Sequence, residues 1–166
     1  MQYRPALIDA LVFARGYTIE LLDTIPPADW FTVPAGCPSH VAWQVGHLTL
    51  SEARIILQRI CDRPTGDAGL PDSYVTLFGR LSVAETEPAD YPSAAEIRAV
   101  FDRVHEAGLR ALKEVSDNDF DATASGPPHR LCRTKAEFLR WLGHHEMLHT
   151  GQIGLIRRML GHKPMW

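Results

Sequence analysis

Apolar residues recur along this chain at steps of three and four, the period of helices that turn one face to a core. In the first such segment, from about Pro5 to Thr24, they fall at Ile8, Leu11, Val12, Ile19 and Leu22. Pro5 suits a first turn, where the missing N–H costs nothing, and Pro26-Pro27 forbids continuation. After the loop PAGCPS, Ser39 is the expected cap of a second helix that reaches about Cys61 and stops before Pro64. From Pro64 to Pro92 the pattern gives way to prolines and glycines around an apolar patch, Tyr74, Val75, Leu77 and Phe78. Connections of this length are uncommon and often functional, and this one is expected to fold, ordered, over one end of the domain.

Ser93-Ala-Ala-Glu96 then has capping-box spacing, and a third helix to about Ser116 places Ile97, Phe101, Val104, Ala111 and Val115 inward. A polar connection leads to a second box at Thr134-Lys-Ala-Glu137, which opens a fourth helix running to about Leu160 and closed by Gly161. No segment alternates apolar and polar residues between hairpin turns. The expected fold is all-α: a four-helix bundle with a long connection between the second and third helices, in one domain spanning 1–166.

Composition narrows the function. With 45% hydrophobic and 22% charged residues the chain is an ordinary globular one. A net charge of -3 and scattered basic residues argue against a nucleic-acid face. No run approaches the roughly 18 apolar residues of a membrane span, and the charged N-terminus does not read as a signal peptide. Three cysteines without a CxxC pair suggest a reduced, cytoplasmic setting.

The fourth helix carries the candidate chemistry. Its four-three register runs Phe138, Leu142, His145, His149, Gln152, Ile156, Met159, with two histidines and a glutamine where packing wants Leu or Ile. Residues four apart lean the same way, so both imidazoles can converge on one cation. In the second helix His47 shares a stripe with Trp43, Leu50, Arg54 and Leu57 and offers a third ligand. Gly46 beside it would let a neighbouring helix come close. Three histidines with an open fourth place describe a catalytic rather than a closed structural metal site. Gln152 would orient a ligand from a second layer, or else make a core hydrogen bond. His40, two turns before His47 and close to the cap, reads as solvated, and His105, His129, His144 and His162 share no register and read as surface residues.

His145-Glu146-Met147-Leu148-His149 also matches HExxH, the zinc-protease helix motif. The extended motif fails at Gln152, no acidic residue follows His149, and no strands are expected on which to lay a peptide. Glu146 is a candidate base or outer acceptor for a metal-bound water, its alternative being a solvated surface position.

The GHL block around His47, the block HHEMLHTGQIGLIRRMLGHKP and the intervening PADYPSAAEIRAVFDRVHE together resemble the DinB/YfiT-like superfamily of metalloenzymes, in order and spacing from about Ser39 onward. The resemblance implies a four-helix bundle, a homodimer and one divalent ion, nickel or zinc, on His47, His145 and His149. It further implies kinship with thiol-dependent transferases and isomerases that act with low-molecular-weight thiols, and the expected activity is a thiol-dependent transferase or hydrolase on a small molecule with such a thiol as partner. The alternatives are a non-catalytic metal- or ligand-binding helical bundle and a purely structural one. Cys37, about three turns before His47, is poorly placed as a fourth ligand.

Overall fold

The computed structural model describes residues 3–84 and 91–165, and among these it contains five α-helices and no strand beyond an isolated bridge between Thr123 and Thr134. The helices are α1 (Tyr3–Leu22), α2 (Val41–Ala53), a short α3 (Ser73–Leu77), α4 (Ala94–Glu114) and α5 (Lys135–Met159). The four long ones form a bundle in which α1 lies against α5, and α2 against both α4 and α5. Among the described residues no helix is long and apolar enough to cross a membrane.

The helix ends follow the expected chemistry. Ser93 Oγ accepts from the Glu96 N–H while Ser93 N–H donates to the Glu96 carboxylate, and Thr134 and Glu137 repeat the exchange at α5. Gly161 takes φ +92° just past α5, a value an L side chain rarely adopts. At α2 the cap is His40 rather than Ser39. The His40 ring accepts from the Trp43 N–H, and Ser39 Oγ instead accepts from Gln44 Nε2. His40 is therefore buried in the core and not solvated. Beyond Ala53, α2 continues as wider π-helical turns over Arg54–Ile60, and Cys61 N–H reaches back to Ile56 O.

In α4 Ile97, Phe101, Val104 and Ala111 are buried as expected, whereas the seams of α5, α2 and α1 differ from the expected ones by about one residue. In α5 the buried line runs Leu139, Leu142, Glu146, Thr150, Ile153, Ile156, whereas Gln152 and Met159 are exposed. In α2 it runs Val41, Val45, Leu48, Glu52, Ile56, and in α1 it runs Leu11, Arg15, Thr18, Leu22. Each seam carries one charged residue at mid-height, and the three meet. Arg15 Nη2 donates to Glu52 at 2.5 Å and Arg15 Nε to Glu146 at 2.7 Å. Its Nη1 reaches Phe101 O at 3.0 Å, and the guanidinium lies 3.5 Å from the Phe101 ring centroid. His105 of α4 closes the group by donating from Nδ1 to Glu52 at 2.7 Å, so it is a core residue, against the surface expectation.

Burial works against charge at Arg15, but Glu52 and Glu146 outweigh it and hold the guanidinium above its ordinary pKa. Glu52 lies below the usual carboxylate range: burial opposes this, and Arg15 and His105 together overcome it. Glu146 is pushed up, since its burial exceeds what Arg15 returns. One layer along, Thr18 and Thr150 hydroxyls meet at 2.6 Å. These polar contacts pin the rotation of α5 against α1 and α2, and that rotation aims the histidines.

The connection from α2 to α4 docks through Tyr74 and Phe78, both fully buried, while Val75 stays half exposed. Residues 85–90, part of the expected ordered loop, lie outside the described residues.

Candidate metal centre

With Glu146 turned into the core, the neighbouring α5 positions His145 and His149 fall on the shoulder facing α2, where both are half-buried. Their Nε2 atoms approach to 3.1 Å. His47 comes in from α2, its ring centroid 5.5 Å from His145 and 5.0 Å from His149. One ring nitrogen from each of the three lies within 4.8 Å of the others. Two imidazoles bound to one tetrahedral ion at about 2.0–2.1 Å have nitrogens about 3.3 Å apart, so the His145–His149 separation already suits a shared ion.

The outer nitrogens support the same reading. His47 Nδ1–H donates to Phe78 O at 2.8 Å, and His149 Nδ1–H donates to Gln44 Oε1 at 2.5 Å. Each hydrogen bond fixes the tautomer that leaves Nε2 unprotonated, as metal-ligating histidines generally require, and at His47 that nitrogen also lies 3.5 Å from Ser51 Oγ. The Trp43 indole stacks on His47 at 4.9 Å, nearly parallel, and is held by its N–H to Ser82 Oγ at 2.9 Å. His145 Nδ1 is buried and has no partner among the described residues, so that ring engages through Nε2. This donor set fits a divalent cation.

Electrostatics agrees. Burial pushes His149 down to about 3, with His145 and His47 adding to the effect, and His145 down to about 4, helped by His47. His47 is lowered too, burial outweighing the Phe78 carbonyl, with Arg54 adding to the lowering. All three are neutral at pH 7, the state in which imidazole can bind a cation. A histidine depressed in the fold takes up its proton later than in the unfolded chain, where it titrates near pH 6.5. Lowering the pH below about 6.5 therefore protonates the unfolded state first and favours it. In metal-free protein, the urea midpoint should drop between pH 7.5 and 5.5, and drop less in His145→Gln. Equal slopes would contradict the buried, neutral trio.

Gly46 serves a different neighbour from the one its sequence context suggests. A Cβ there would sit 2.3 Å from the Phe78 ring, so glycine admits the connection rather than another helix. Because Phe78 O holds His47, Gly46→Ala is expected to push that carbonyl away and weaken metal affinity about 10- to 100-fold, measured by competition with a chelating dye. Unchanged affinity would remove Phe78 from the account.

The site opens on a cavity of about 690 Å³ whose lining includes His47, His145, Leu50, Phe138 and Trp141. The family model of the DinB superfamily matches residues 10–153. The chain belongs to the DinB superfamily. No curated relative and no solved structure matches it significantly. The match covers all three histidines of this DinB-superfamily chain, and the trio is compatible with a metal site.

The remaining expected residues lie elsewhere. Both Glu146 oxygens receive Arg15, and the residue is 1% exposed, so its carboxylate serves the core instead of standing beside the histidines or on the surface. Gln152 is exposed, and the amide that orients His149 belongs to Gln44. His129 is exposed on the cavity wall, His144 is exposed, and His162 bonds to Asp29. Cys37 Sγ bonds to Ser39 O and takes no part in the group. Gln44 was the residue sequence reasoning missed. Its only signal was a buried-seam polar residue three positions before His47.

Proposed function

We propose that this protein is a metal-dependent enzyme, a thiol-dependent transferase or hydrolase acting on a small molecule, with one nickel or zinc ion on His47, His145 and His149. The observation that carries it is the convergence of three neutral imidazoles beside an open cavity, two of them tautomerically fixed from behind. Among the described residues the group numbers three, which leaves a place for an exogenous ligand and favours catalysis over a closed binding module. A divalent ion supplies a Lewis acid that draws the pKa of a bound water or thiol toward neutrality. The chain's own part is to keep three ligands neutral and aimed, and to shield the site beneath Phe78 and Trp43. Imidazole accepts either metal, so availability decides between them.

A low-molecular-weight thiol as co-substrate, a cytoplasmic setting and a homodimer belong to the same proposal. Free Cys37, Cys61 and Cys132 support the setting. Exposed Phe13, Leu148 and Leu155 on α1 and α5 support self-association. The test is a screen of thiols and electrophiles with metal-loaded and chelated protein, alongside a His47→Ala variant. Turnover that needs both the metal and His47 is the expected result. One bound ion per chain without any turnover would leave a binding module.

A further inference from the structure

The cavity beside the histidines is cationic in a protein whose net charge is -3. Arg54, Arg59, Arg80 and Arg130 line it, and among the described residues no Asp or Glu does. None of the four pairs with a carboxylate among those residues. Arg59 is braced for a ligand: its Nη1 donates to Ser125 O at 3.2 Å and Pro127 O at 2.9 Å, and its guanidinium sits 4.6 Å from the Phe138 ring centroid. Burial lowers the pKa of the wall residue His129, and Arg59 and Arg130 lower it further, which reports the same crowding of positive charge.

The π-helical turns bring part of this about. Five residues apart in an α-helix, Arg54 and Arg59 would point to different sides, but in the wider turns of Arg54–Ile60 they line one cavity. Uncompensated guanidinium groups against low-dielectric aromatic walls concentrate anions and grip carboxylate or phosphate through paired N–H donors. Phe138, Trp141 and Leu50 offer an apolar surface for the rest of such a molecule.

We propose that this cavity binds a small organic oxyanion, a carboxylate or phosphate ester with an apolar body, and presents its other end to the three histidines. The proposal rests on the metalloenzyme reading above for the role of that anion, but its binding does not need the metal. The test is a ligand-observed NMR titration of the full chain, stripped of metal and at low ionic strength, with benzoate, phenyl phosphate and neutral benzamide.

At least one of the anions is expected to bind about tenfold or more tightly than benzamide, as charge-assisted hydrogen bonds require. The Arg80→Gln/Arg130→Gln variant, altered at two exposed side chains, should lose most of that preference and still bind benzamide as before. Whichever anion binds more tightly assigns carboxylate or phosphate. Equal binding of all three probes, or an unchanged preference in the variant, would overturn the proposal. A protein that prefers anions but never retains a metal would sink the metalloenzyme reading alone.

Discussion

His149→Ala protein, purified without a polyhistidine tag, is expected to carry almost no nickel or zinc where the unaltered chain carries about one ion. His149 is the central ring of the three, nearer to His47 and to His145 than those two are to each other. Its Nε2 lies 3.1 Å from that of His145, and its Nδ1 is the one tied to Gln44. Removing it leaves two imidazoles on separate helices, without the ring against which His145 is aimed. A metal that binds only the folded chain must raise its unfolding temperature, by about 2.7 kcal/mol of stability at a hundredfold excess over Kd. Added nickel or zinc should shift the unaltered protein and leave the variant unmoved. A variant that still holds one ion per chain by elemental analysis would refute the ligand assignment.

Arg15→Met should cost about 3–5 kcal/mol of stability, a large part of what a domain this size has. Arg15, Glu52 and Glu146 are each no more than 2% exposed, so the substitution strands two carboxylates in a dry interior. The cost is that of buried charge left unpaired, not of lost methylene packing. Replacing the whole group, with Arg15→Met, Glu52→Leu, His105→Leu and Glu146→Leu together, should recover most of the loss because no charge then remains inside. Urea unfolding of the single and quadruple variants measures both. A single-variant loss below about 1 kcal/mol would show that the group is solvated, and no recovery in the quadruple would show that the loss does not come from stranded charge.

The parts of this structure legible in the sequence are those specified locally. Ser93–Glu96 and Thr134–Glu137 announce two helix starts within four residues, and Gly161 announces an end. The three histidines were legible because His145 and His149 are one turn apart and His47 stood out on its own stripe. The bundle seams were harder, because a charged residue at a seam position looks like a surface residue until its partner is known. Arg15 and Glu146 are 131 positions apart, and nothing nearby in the chain marks them as a pair. Spacing alone therefore draws the α5 seam through His149 and Gln152, whereas burial runs it through Glu146 and Thr150. The same blindness put His105 on the surface and gave the orienting role to Gln152 instead of Gln44. The π-helical turns after Ala53 leave no composition signal, so the shared face of Arg54 and Arg59 could not be read in advance.

X-ray absorption at the metal edge, on untagged protein loaded with one equivalent of zinc or nickel, counts the imidazoles around the ion. Three rings, with lighter exogenous atoms completing the shell, is the outcome expected from His47, His145 and His149. A shell with sulfur in it, or with two imidazoles or fewer, would contradict it.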